Sequence, residues 1–103
     1  MVLEKIELGS DYVISEFVKW MQTKLPEDMM LNFSRSDLSD GWEVVNKKRK
    51  GWFRELQFYI ESAVYIGEQW HIYLISHTQY GFELACKFAK EYPDTNIKVI
   101  RSI

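Results

Sequence analysis

Residues 2–8 (Val-Leu-Glu-Lys-Ile-Glu-Leu) alternate loosely between apolar and charged, which predicts a short first strand. Gly9-Ser10-Asp11 then supplies a turn and the start of a helix. Ile14, Phe17, Val18, Met21 and Leu25 recur at helical spacing, with Glu16, Lys19 and Gln22 on the far side. Pro26 ends this helix, because the residue before a proline is pushed out of the α region. Met29, Leu31 and Phe33 alternate with Met30, Asn32 and Ser34, which predicts a second short strand, and Ser34 to Gly41 reads as a polar loop.

The centre of the chain predicts two hairpins. Trp42–Lys48 and Trp52–Ile66 have strand patterning, and Arg49-Lys50-Gly51 fits a three-residue loop with glycine in the left-handed position. That register sets Val44 opposite Leu56 and Trp42 opposite Phe58. Gly67-Glu68-Gln69 would close the second hairpin, pairing Ile66 with Trp70, Val64 with Ile72 and Ser62 with Leu74. The even-numbered residues of both hairpins then form the core face: Trp42, Val44, Leu56, Phe58, Ile60, Val64, Ile66, Trp70, Ile72 and Leu74. Thr78 caps a last helix, about Gln79 to Tyr92, Pro93-Asp94 breaks it, and Ile97, Val99 and Arg101 suggest a final strand. The order β-α-β-β-β-β-α-β predicts an α+β fold. A mostly antiparallel sheet of four to six strands would carry two helices on one face. In outline this order is similar to RNA-recognition-motif and other ferredoxin-like domains. The RNA-recognition motif's basic-aromatic strand signature is absent, so no residue role carries over.

Composition narrows the class. A chain of 103 residues with 16% aromatics, five Gly and two Pro is sized for a single domain, 1–103, with one aromatic-rich core. The longest apolar runs, Ala63–Ile66 and Ile72–Ile75, are too short for a membrane span, and the first residues lack the pattern of a signal peptide. Cys86 is the single cysteine, so no internal disulfide forms, and a cytoplasmic location is expected.

Charge is placed unevenly. The net charge is −2, yet residues 41–54 hold Lys47, Lys48, Arg49, Lys50 and Arg54 against Glu43 alone. The protein reads as an acidic body with one basic knob.

Candidate chemistry lies mainly on the odd-numbered sheet face. In the predicted register Tyr59 opposes His77, Glu61 opposes Ile75, Ala63 opposes Tyr73 and Tyr65 opposes His71. Tyrosine combines contact area with a polar tip and is frequent in interfaces. Carboxylates on the same face repel phosphates and favour a cationic protein. The expected partner-binding residues are therefore Glu43, Glu55, Tyr59, Glu61, Tyr65, His71, Tyr73 and His77. The basic stretch Lys47, Lys48, Arg49, Lys50, Trp52 and Arg54 interleaves charge with aromatics and is the alternative, a nucleic-acid-binding surface.

His71 and His77 lie six residues apart on one strand, roughly 20 Å at about 3.3 Å per residue, too far to share a metal ion. Each acting singly would make a third reading, a small His-dependent hydrolase. No nucleotide-binding, nucleophile-elbow or CxxC motif occurs, so no enzyme, metal site or cofactor is expected. The expectation is a small protein-binding domain. Its type would be a neutralising inhibitor (toxin immunity, antitoxin or phage counter-defence) that occupies a cationic effector such as a nuclease. A homodimer covering the same face is a further possibility.

Overall fold

The structure is a computed structural model and describes residues 9–35, 40–46 and 55–102. The strand expected at 2–8 and the basic knob at 47–54, including its Gly51 turn, lie outside the described residues.

Helix α1 (Ser10–Gln22) starts from Gly9 as N-cap and buries Val13, Phe17, Val18 and Met21 along one stripe. It ends earlier than the predicted Leu25. The Thr23 hydroxyl donates to the Trp20 carbonyl at 2.7 Å, and the Lys24 and Leu25 amides both donate to the Met21 carbonyl. Those bonds satisfy the last carbonyls that a helix leaves open.

Strands β1 (Met29–Arg35), β2 (Asp40–Asn46), β3 (Leu56–Ile66) and β4 (Gln69–Ser76) follow as an antiparallel meander. Helix α2 (Gln79–Glu91) crosses over to β5 (Asn96–Arg101), which pairs parallel with β4. The sheet order is β1-β2-β3-β4-β5, and both helices pack on one of its faces. The predicted α+β class stands. The strands simply follow chain order, with β4 and β5 side by side, so the ferredoxin-like outline is not reproduced among the described residues.

One core joins the layers. Phe17, Met21, Phe58, Ile72, Leu74, Ala85 and Phe88 are essentially sealed from solvent. Between the helices the rings interlock: Phe17 meets Tyr92 edge-on at 4.9 Å, and Trp20 meets Phe88 at 5.4 Å and Tyr92 at 5.0 Å. Such ring pairs add about 0.5–1.5 kcal/mol each beyond area burial.

Two bulges correct the predicted registers. Val45 pairs with Leu56 but Val44 pairs with Phe58, so Gln57 is an extra residue in β3. Farther along, Ile60 pairs with Leu74 but Ser62 pairs with Tyr73, leaving Glu61 extra. Each extra residue reverses which parity faces the helices. The β3–β4 turn is also shorter than predicted: Ile66 pairs with Gln69 across two residues, Gly67 (φ 60) and Glu68 (φ 65). Positive φ at both central positions is the type I′ turn, whose twist matches the flanking strands. Val64 and Ile66, expected in the core, are therefore exposed, while Ala63 and Ile72 pair within it.

Candidate functional site

The face away from the helices is rebuilt by these bulges. One row crosses all five strands: Asn32, Glu43, Tyr59, Ile75 and Ile100 are successive partners. The Asn32 side-chain amide donates to the Glu43 carboxylate at 2.8 Å, which fixes the acid beside Tyr59. Alongside run Val45 with Leu56, and Ser62 with Tyr73 and Lys98. The described elements place no layer over this face. Tyr59, Tyr73, Ile75, His71 and His77 are half-buried by their neighbours in the sheet.

Of the expected contact residues, the structure brings Glu43, Tyr59, Tyr73, His71 and His77 onto this face. Tyr59 lies opposite Ile75, not His77, but its ring stacks on His77 diagonally at 5.6 Å and 28°. Tyr73 lies opposite Ser62 rather than Ala63. His71 lies opposite Val64 rather than Tyr65.

Tyr65 is moved away. It pairs with Trp70, on the same side as Ala63 and Ile72, where the two rings meet at 5.3 Å and Tyr65 stays exposed. Glu61 leaves as well, because the bulge turns it into a cleft beside α1. Glu55 sits just before β3, where its carbonyl accepts the Asn46 amide at 2.9 Å. Three of the expected acids thus reduce to Glu43 on the face itself. The surface is more apolar and aromatic than the sequence suggested.

The two histidines stay six residues apart along β4 and its exit, so they do not form one centre. Nδ1 of His71 and Nε2 of His77 are each buried without a hydrogen-bond partner among the described residues. Among the described residues no group of three His, Cys, Asp or Glu side chains could hold a metal ion.

One end of the face is locked by a polar network. The Thr78 hydroxyl donates to the Gln57 side-chain carbonyl at 2.6 Å and accepts the Gly81 amide at 2.8 Å. The Gln57 amide group donates in turn to the Glu55 carbonyl at 3.2 Å. Gln57 is buried and sits at the first bulge, so the cap of α2 and the irregularity of β3 hold each other in place.

Sequence reasoning missed Lys98 and Ile100, because the pattern of β5 gives its strand character but not its neighbour. It also missed the cleft beside α1, lined by Asp11, Phe33, Arg35, Trp42 and Glu61. No local signal marks that cleft, since it is assembled from four separate elements.

No described helix is long and apolar enough to cross a membrane. Comparison with protein-family models, curated proteins and solved structures returned no match to the chain.

Proposed function

We propose that the chain is a protein-binding domain, without a catalytic step of its own, that docks its partner on the uncovered face of the sheet. The observation that carries this reading is the continuous row Asn32–Glu43–Tyr59–Ile75–Ile100, flanked by Tyr73, His71 and His77. Tyrosine anchors amid aliphatic side chains, with few charges at the centre and charges at the margin, match the anatomy of protein interfaces.

The partner is taken to be cationic. The whole chain has a net charge of −2, and five of its Lys and Arg lie together in 47–54, so the remainder of the chain is acidic and would attract a basic surface and speed its approach. This fits a neutralising inhibitor of the immunity, antitoxin or counter-defence type, acting in the cytoplasm on an effector with a basic working surface.

The test is to recover a tagged copy from its native host at low and high salt, beside the Tyr59→Ser, Tyr73→Ser double variant. The reading expects a stoichiometric basic protein with the parent chain and its loss from the variant. A 260/280 absorbance ratio that is high at low salt and collapses at high salt would instead assign binding to the basic stretch 47–54. A partner retained equally by both chains would remove the sheet face from the account.

A further inference from the structure

On the helix side of the sheet, α1 leaves β1 and the start of β2 partly uncovered. A cleft of about 470 Å³ opens there. Its aromatic wall is Phe33 against Trp42, edge-on at 5.3 Å, and Phe33 is 53% exposed although it sits mid-strand. Gly41, at φ +144, leaves the floor open: a Cβ there would meet nothing within 4 Å. Asp11, in the first turn of α1, and Glu61, the extra residue of the second bulge, line the same cleft with exposed carboxylates. Among the described residues Asp11 has no hydrogen bond or ion pair, and Glu61 accepts only the Ser62 hydroxyl at 2.6 Å.

The geometry points to a receptor for the side chain of an arginine in a protein or peptide, separate from the sheet face. A guanidinium is flat, weakly hydrated and always charged, so it can lie on an aromatic ring while its edge donates to a carboxylate. The cleft supplies both surfaces. It also shows the pairing internally, because the guanidinium of Arg35 already rests 5.8 Å from the centre of the Phe33 ring and has no carboxylate partner among the described residues. Arg35 therefore acts as a resident competitor at the rim, and an incoming arginine displaces it to reach Asp11 and Glu61. An ammonium would fit less well, since it holds its water more tightly and covers less of the ring.

The probe is N-acetyl-arginine amide, titrated into the full chain while amide and indole signals are followed by NMR. Its neutral isostere, N-acetyl-citrulline amide, is the control. The expected result is a saturating shift at Gly41, Ser15 and the Trp42 indole, with citrulline binding roughly tenfold more weakly. The Asp11→Asn, Glu61→Gln double variant should lose that preference, and Arg35→Ala should bind several-fold more tightly. All these side chains are at the surface, and unchanged spectra elsewhere would confirm that each variant folds. Equal binding of arginine and citrulline amides overturns the inference, as does a preference that survives the double variant. Neither result bears on partner docking at Tyr59 and Tyr73, which lie on the opposite face.

Discussion

Gly81 is fixed by a close approach and not by its backbone angle. A Cβ at this position would stand 2.3 Å from the Gln57 carbonyl oxygen, 2.7 Å from its carbon and 2.9 Å from the Thr78 hydroxyl. Backbone atoms cannot swing aside, so Gly81→Ala forces α2 off the sheet. Overpacking of this kind costs about 1–3 kcal/mol, which exceeds the helix-propensity gain of about 1 kcal/mol. Urea denaturation should show a net loss, and a neutral or stabilised Gly81→Ala would disprove the contact. Thr78→Ala removes the cap and leaves the buried Gln57 carbonyl without its donor, for a loss of about 2 kcal/mol. Thr78→Ser keeps the hydroxyl and should recover most of it.

Tyr92 is the titratable member of the aromatic cluster with Phe17 and Trp20. Burial is the main cause that raises its phenol above the ordinary 10.0, with Glu16 and Tyr12 adding to it. An acid whose folded value is raised holds its proton more tightly in the native state. Its contribution is thus complete below about pH 10 and is lost as pH rises through the folded value. Stability should fall on the alkaline side of pH 10, and Tyr92→Phe should flatten that fall. An identical alkaline profile in both proteins would contradict the assignment.

At the scale of elements, the helices were legible because their spacing is dictated by a buried stripe. Thr78 was recognisable as a cap from chemistry alone, and the structure places its hydroxyl on the Gly81 amide. Strand existence was equally readable at Met29–Ser34 and on both sides of Gly67. Register was not. A bulge has no residue signature of its own: Gln57 and Glu61 are polar residues in alternating strands, and only pairing with β2 and β4 shows that each is supernumerary. That error propagated, moving Glu61 and Tyr65 off the proposed face and Val64 and Ile66 out of the expected core.

The β3–β4 turn carries a readable cost. Glu68 holds φ 65, a conformation that an L side chain adopts at about 1–2 kcal/mol. Glu68→Gly should relieve part of it and raise the urea midpoint, by about 0.5–1 kcal/mol in stability. A drop in stability would mean that the turn is not of the I′ kind.

For the molecule as a whole, two helices and one sheet create an asymmetry between the two faces of the sheet. The aromatic-rich core is filled from one side, where Phe17, Phe58 and Phe88 close the interior. The other side keeps Tyr59, Tyr73 and Ile75 half-buried, and it is the side on which the proposed partner would dock. Placing a photo-crosslinking amino acid at Tyr73 on the sheet face and, separately, at Glu83 on α2 tests this division most directly. Irradiated in the native host, the Tyr73 position should join one discrete partner protein, and the Glu83 position should not. Crosslinking from α2 alone, or none from Tyr73, would contradict docking on the sheet.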